Sequence, residues 1–332
     1  MFIIKFMNEN RISWGIIGAG DVAEVKSGPA FNKVTGSELL AVMRRNPDKA
    51  EDFARRHGVS SWYSSVEEIL ARDDINAVYI ATPPSSHREL AVKALEAGKH
   101  VYLEKPVCLT ADEARLIKPV LDKSGKKLVV AHYRRGLDSF KTVKKILDAG
   151  EIGDIQFVQI RVLQRRDASF LTITDDNWRE NPAVSGGGLF TDIAPHQIDL
   201  MLHYFGDVKE SSGCSLNRSK LTASDDYVAG RILFESGIPF EGLWSFTIDH
   251  EDHCLDCCEI YGSEGKLTFS FFGEKLSFFR KGSEKVLNFT NPVNIQQPMI
   301  QSAVDYFLGA GDNPCSMDEG IACMEILDSF TR

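Results

Sequence analysis

No stretch of this sequence is both apolar enough and long enough to cross a bilayer. The opening Met1-Phe2-Ile3-Ile4-Lys5-Phe6-Met7 is broken by Lys5, is too short for a signal-peptide core and is followed by no small-residue cleavage site. It reads as a lead-in to the first strand, and a cytoplasmic location without membrane partners is expected. Positive charge is also scarce. Lys and Arg number 38 against 47 Asp and Glu, a formal net charge of −9. A polyanion-binding protein needs a basic face, so nucleic acid is excluded as the expected partner. Cysteine comes as an odd seven, Cys108, Cys214, Cys254, Cys257, Cys258, Cys315 and Cys323. That is no framework for a small secreted fold, and reduced thiols follow. Internal repeats and low-complexity segments are absent as well.

What is present is ordinary globular composition, 43% hydrophobic and 26% charged over 332 residues, a length that suggests two domains. Up to about residue 130, β-rich runs alternate with helical patterns, the signature of a parallel sheet with crossover helices. Strands are expected at Ile12–Ile17, Leu39–Met43, Ala77–Ile80, His100–Leu103 and Leu128–Val130. Helices are expected at Pro47–His57, Ser86–Ala97 and Ala111–Lys123, with Gly58, Gly98 and Gly125 near their ends. This is a doubly wound Rossmann layout, assigned to residues 1–132.

After Gly153 the texture changes, within a second domain assigned to residues 133–332. Ile155–Leu163, Tyr227–Phe234, Phe240–Ile248, Cys254–Tyr261, Lys266–Phe272 and Lys275–Phe279 read as strands of a large, mainly antiparallel open sheet. Helices are expected at Leu189–Tyr204, Ile300–Leu308 and Asp318–Phe330. The second domain is thus an α+β unit for substrate binding and oligomerisation.

Gly18-Ala19-Gly20-Asp21-Val22-Ala23 follows the first strand and is expected to open a helix, the context in which G-x-G-x-x-A points to a dinucleotide. Glycine lets the backbone turn tightly and approach a pyrophosphate, whose charge suits a helix N-terminus. The end of the second strand bears on which dinucleotide binds. An NAD site usually offers a carboxylate to the ribose hydroxyls there, whereas this strand runs into Met43-Arg44-Arg45-Asn46-Pro47. Asn46 reads as an N-cap and Pro47 as a first helical residue. Two guanidinium groups beside a helix end suit a 2′-phosphate, so NADP(H) is the expected cofactor, with NAD(H) possible.

Three further motifs stand at element ends: Ala81-Thr82-Pro83-Pro84-Ser85-Ser86-His87, Glu104-Lys105-Pro106, and Gly186-Gly187-Gly188-Leu189-Phe190-Thr191-Asp192-Ile193-Ala194-Pro195-His196-Gln197-Ile198-Asp199. With the Gly18 loop, in this order, they make the chain resemble the Gfo/Idh/MocA oxidoreductases over nearly its whole length. The resemblance implies hydride transfer between a nicotinamide and a sugar, polyol or related carbonyl compound. It implies that Lys105 bonds the reacting oxygen, that His196 is the acid/base group and that Asp192 assists it. Oxidising a secondary alcohol does need a base and a cation near the developing alkoxide. Asp192 and His196, four apart, share one helix face. The cofactor set is then Gly18, Gly20, Asp21, Val22, Arg44, Arg45, Thr82, Pro83, His87, Glu104 and Lys105. Tyr133 and Arg134 after the strand Leu128–Val130, and Trp178 in Asn177-Trp178-Arg179, join Asp192 and His196 as candidate substrate contacts. An aromatic beside Arg and Asn suits a polyhydroxy ring.

Two alternatives stay open: a glycosidase of the same fold that keeps its cofactor bound, and a non-catalytic regulator sensing a nucleotide or sugar. Retention of Lys105 and His196 counts against the regulator. His250, His253, Cys254, Cys257 and Cys258 have ligand chemistry, but strand alternation sends Cys254 and Cys257 to opposite faces, so no metal is expected. Trp244, Phe246 and Ile248 alternate with Leu243, Ser245 and Thr247, while Leu267, Phe269 and Phe271 lie on one side of their strand. Both sheet faces are therefore expected to keep apolar character, which with the resemblance implies a homodimer or homotetramer through this sheet.

Overall fold

The computed structural model describes residues 10–168 and 178–331. The expectations for Met1–Met7 and Asn177 lie outside these described residues. The chain divides into two compact units: Met1–Val107, Asp112–Gly136 and Pro292–Asp318 form the first, and Cys108–Ala111, Leu137–Asn291 and Glu319–Arg332 the second. The first unit takes back residues 292–318, a return that one cut at residue 132 does not foresee.

The first unit is built on a six-stranded sheet of β1 (Ile12–Ile17), β2 (Ser37–Met43), β3 (Ser61–Tyr63), β4 (Ala77–Ile80), β5 (His100–Leu103) and β6 (Leu128–Val130). Its order is β3-β2-β1-β4-β5-β6 and every pairing is parallel. β4 is buried along its whole length, which is why these strands read as apolar runs rather than alternations. The strand order reverses between β1 and β4, and ligands of open α/β sheets bind at such a reversal, outside the strands' carboxyl ends. Trp14 anchors the core, its ring 4.8 Å from that of Phe31 and 5.7 Å from that of Phe307 in the returning helix Gln297–Phe307.

Local chemistry fixes the helix ends. Helix Pro47–His57 starts where Asn46 accepts a hydrogen bond from the Lys49 amide, and ends at Gly58 with φ 65°. Two expected helices are altered. The span Ala111–Lys123 is two helices, Ala111–Arg115 and Lys118–Ser124, with Pro119 at the start of the second, where its missing N–H costs nothing. After the Gly18 loop the chain is not a plain α-helix: Ala23–Ser27 is a π-helix and Gly28–Asn32 a 3₁₀-helix, with Pro29 where an α-helix would need an amide donor.

The second unit carries an eight-stranded sheet of β7 (Ile155–Leu163), β8 (Val208–Leu216), β9 (Tyr227–Phe234), β10 (Pro239–Ser245), β11 (Leu255–Gly262), β12 (Gly265–Phe269), β13 (Lys275–Arg280) and β14 (Ser283–Asn288). The order is β14-β13-β12-β11-β7-β10-β9-β8, antiparallel except between β7 and β10. The strands expected to reach Ile248 and Phe272 end at Ser245 and Phe269. One face carries Val158, Ile160, Val162, Phe240, Trp244, Ile260 and Leu267, all buried. Helices Leu189–Phe205 and Asp138–Asp148 cover it: Phe190 lies edge-on to Trp244 at 5.3 Å, and Phe140 edge-on to Phe269 at 5.9 Å.

The opposite face mixes apolar and charged groups. The Glu259 carboxylate sits between Lys266, at 2.9 Å, and Arg161, at 3.6 Å, with Phe157 and Tyr261 at 6.0 Å beside them. Its exposed apolar groups lie at both edges, Phe279 and Val286 on β13 and β14 and Leu216 on β8. No helix among the described residues is long and apolar enough to cross a membrane.

Candidate functional site

In the first unit, the Gly18 loop hangs from the end of β2. The Gly18 and Ala19 amides both donate to the Met43 carbonyl, at 3.0 and 3.1 Å. Gly18 has φ 95°, and a Cβ there would lie 2.8 Å from Thr82 Cγ2 and 2.9 Å from the Ala81 and Thr82 main chain. Both the conformation and the close approach require glycine. Beside Gly20 the nearest atom to an added Cβ is 4.0 Å away, leaving open space above the turn. Asp21 is exposed and Val22 half-buried where the helix begins. These are the features a pyrophosphate needs: a backbone that a phosphate can approach and a helix start facing it.

Arg44 reaches back over this loop. Its Nη1 donates to the Ala19 carbonyl at 3.1 Å while its own amide donates to Tyr63 O on β3. Arg45 is exposed beside it, and the Asn46-capped helix opens next. The cations and helix end expected from the sequence are therefore together at the β2 terminus, adjoining the glycine turn. No carboxylate occupies residues 44–47.

The β4 and β5 ends complete this edge. Ile17 pairs with Ile80 and Ile80 with Leu103, so Gly18, Ala81 and Glu104 emerge side by side. Thr82 Oγ1 accepts from Ser86 Oγ at 2.8 Å, and Pro83 is half-buried behind it. His87 is fully buried: Nε2 lies 2.8 Å from Thr82 O and Nδ1 2.9 Å from Pro106 O. Burial pushes its pKa down, against the pull of those two carbonyls. The ring therefore braces the Thr82 turn against the Glu104-Lys105-Pro106 turn, whose Lys105-Pro106 peptide is cis. Lys105 is half-buried, and its amide donates to Glu104 Oε2 at 3.2 Å. Glu104 itself is buried, and its Oε1 accepts from Tyr79 Oη at 2.5 Å and from Gln296 Nε2 at 2.7 Å.

Tyr133 and Arg134 lie in a buried 3₁₀ turn, with Arg134 Nη1 2.6 Å from Tyr133 Oη and the guanidinium 5.0 Å from the ring centre. Both belong to the first unit rather than to the region assigned to substrate.

In the second unit the glycine run ends the turn that feeds helix Leu189–Phe205. Gly186 and Gly188 have φ 88° and 84°, and a Cβ on Gly188 would stand 2.4 Å from Ser224 Cβ. That approach brings Asp192 and His196 out on one helix face. His196 is 5% exposed, with its ring edge-on to Phe272 at 6.5 Å. Asp192 Oδ2 accepts from Arg179 Nε at 3.2 Å, and the Arg179 guanidinium lies 4.4 Å over the Trp178 ring. The sequence named Trp178 and Asp192 separately. Arg179, buried and bridging them, is the residue that joins the two. Arg166 adds a two-bond pair with Glu180 one residue further on, lining a cavity of about 170 Å³ with Leu189, Ser224 and Phe246.

The cysteine cluster is dispersed. Cys254 precedes β11 and its thiol faces His250 O, Cys257 is half-buried opposite Arg161, and Cys258 is fully buried on the other face, where burial drives its thiol pKa well up. None of the seven cysteines is in a disulfide.

Comparison with known proteins agrees with this geometry. Residues 12–132 match the model of the oxidoreductase family with an NAD-binding Rossmann fold, and residues 140–268 match the GFO/IDH/MocA C-terminal domain. An oxidoreductase of Formosa agariphila is 46% identical over 97% of this chain and 99% of its own length. The 1,5-anhydro-D-fructose reductase of Ensifer adhaerens is 28% identical over 76% of this chain and 74% of its own. Among solved structures, a levoglucosan dehydrogenase in complex with NADH and levoglucosan superposes with a TM-score of 0.85 at 22% identity, covering 96% of each chain. The chain belongs to the Gfo/Idh/MocA family of NAD(P)-dependent oxidoreductases that act on sugars and polyols.

Proposed function

We propose that this enzyme prefers NADP(H) and transfers a hydride between the nicotinamide and a ring sugar, polyol or derived ketone. The observation that carries the cofactor choice is Arg44. It stands at the end of β2, tied to the glycine loop through Ala19 O, beside Arg45 and a helix N-terminus, with no carboxylate at residues 44–47 to meet a free ribose hydroxyl. Gly18 makes the tight turn against Thr82 and Gly20 leaves room for the pyrophosphate over the helix start at Asp21 and Val22. Thr82, Pro83 and Glu104 line the neighbouring strand ends, and buried His87 acts through the turns it braces.

When bound, the nicotinamide supplies or accepts the hydride. The Lys105 ammonium is assigned to hold the reacting oxygen, and His196 to take or return its proton. Asp192, fixed by Arg179, is assigned to orient His196 or a substrate hydroxyl, and the Trp178 ring to stack on a sugar's C–H face. Tyr133 and Arg134, hydrogen-bonded to each other in their 3₁₀ turn, are assigned as further substrate contacts. Two of the compared proteins are named for anhydrosugars, 1,5-anhydro-D-fructose and levoglucosan, which puts these compounds in the substrate panel. The test is a spectrophotometric screen of NADPH and NADP+ against anhydrosugars, inositols, aldoses and small dicarbonyls. Turnover stoichiometric with nicotinamide supports the reading. Glycoside cleavage with no net change in nicotinamide redox state would replace it with the glycosidase.

The open face of the eight-stranded sheet is proposed as the contact between copies. Its Phe157, Tyr261 and Phe279 offer apolar area, while Arg161, Glu259 and Lys266 offer pairs that a twofold axis can duplicate. Light scattering at micromolar concentration is expected to give a dimer or tetramer, and a monomer would remove this assignment.

A further inference from the structure

The π-helix after the glycine loop passes into a 3₁₀-helix at Gly28-Pro29, where Pro29 has no N–H to donate. The returning segment supplies donors: Asn294 Nδ2 lies 3.0 Å from Val25 O, and the Gln296 amide 3.2 Å from Lys26 O. Lys33 Nζ in turn holds Asn294 Oδ1 at 2.7 Å. Residues 294–296 thus close the helix that starts at the nucleotide loop.

The same segment also reaches the Glu104-Lys105-Pro106 turn. Gln296 is 1% exposed, its Nε2 donates to Glu104 Oε1 at 2.7 Å, and its Oε1 accepts from Tyr102 Oη at 3.2 Å. Tyr79 Oη also donates to Glu104 Oε1 and receives Ser27 Oγ from the π-helix at 3.2 Å. An ionised carboxylate only accepts, and Glu104 faces donors from Tyr79, Gln296 and the Lys105 amide. Burying such a group without them is costly, so removing one donor loosens the turn that carries Lys105.

We propose that Gln296 is a positioning residue that couples the glycine-loop helix to the Lys105 turn, through its amide on one side and its side chain on the other. Its effect on turnover rests on the assignment of Lys105 as the cation at the reacting oxygen. The main-chain bond to Lys26 survives substitution, so losing the side chain disturbs the Lys105 turn and spares the nucleotide loop.

The test uses four forms of the full chain: wild type, Gln296→Met, Gln296→Glu, and Gln296→Glu combined with Glu104→Gln. Each is titrated with NADPH by fluorescence, followed by amide hydrogen exchange over residues 103–107 and 22–30, and assayed at steady state. Gln296→Met is expected to bind NADPH about as tightly as wild type, to exchange faster at 103–107 but not at 22–30, and to lose kcat about tenfold with KM little changed. Gln296→Glu is expected to lose more, since two carboxylates then face each other. The double variant restores an amide–carboxylate pair and is expected to recover much of that loss. A Met variant matching wild type in kcat and in exchange at 103–107 would overturn the proposal, as would a double variant no better than Gln296→Glu. If Gln296→Met fails to fold, the Glu pair decides. If wild type binds no nucleotide, the cofactor assignment fails separately, and exchange at 103–107 still judges the coupling.

Discussion

The two units build their chemistry in different ways. In the first, the main chain shapes the turns, with a glycine at φ 95°, two amides shared by one carbonyl and bracing by buried His87 and Glu104, and the side chains assigned to chemistry, Arg44 and Lys105, stand on those turns. In the second, the side chains assigned to chemistry, Asp192 and His196, are presented by one helix, with Arg179 tying Asp192 to the preceding loop. A phosphate-binding backbone depends on shape and tolerates few substitutions. A side-chain site depends on charge and hydrogen bonding, so it can be weakened without being dismantled.

The comparison can be broken most sharply by exchanging the expected losses. Gly18→Val forces a branched side chain into φ 95° and onto Thr82, and is expected to abolish measurable nucleotide binding. Calorimetric titration checks this, and retained affinity would show that the loop is not the binding element. Lys105→Ala and His196→Ala are each expected to keep nucleotide affinity while losing turnover by about a hundredfold or more. If both act on one oxygen, the double variant loses less than the product of the single losses, which steady-state rates on all four forms decide. Arg179→Met removes the Arg179 bond to Asp192 without touching the helix, and a kcat decrease of about tenfold is expected, smaller than that of His196→Ala.

The smallest expected effect tests a surface support of the nucleotide loop. Hydrogen bonding from Arg56, helped by His57, holds the Glu24 carboxyl below its usual range. A depressed folded pKa contributes stability above the unfolded value, and that stability is lost as pH falls through the folded one. The pair is a third exposed on the Glu24 side and more on the Arg56 side, so Glu24→Gln is expected to cost under about 1 kcal/mol at pH 7. Thermal melts of both forms should converge on acidification below the usual carboxylate range. A gap that widens there would reverse the sign assigned to this pair.

Much of the first unit was legible because its signals are local. Strands β1, β4, β5 and β6 and helix Pro47–His57 match their expected bounds, since unbroken apolar runs and an Asn-Pro start leave little choice. Short β3, with Trp62 exposed, carried no such run. Polar β8 and β14 were missed for a related reason: both are edge strands with largely exposed sequences, so no buried alternation marks them. The π-helix had a readable cause in Gly28-Pro29, although its partner in residues 294–296 lies beyond any local pattern. Gln296 meets Glu104 across 192 residues of sequence, and only folding shows the pair. Arg179 was visible as a neighbour of Trp178, but its bond to Asp192 depends on how the Gly186–Gly188 turn brings the helix back.

The central claim, that the first unit holds a 2′-phosphorylated dinucleotide through Arg44, is tested most directly by titrating wild type and Arg44→Asp with NADPH and with NADH under identical salt. A charge-assisted bond from Arg to phosphate predicts that wild type binds NADPH tighter by about tenfold or more, and that Arg44→Asp removes or reverses the preference. Equal affinity of wild type for the two nucleotides, or a preference unchanged in Arg44→Asp, would contradict it.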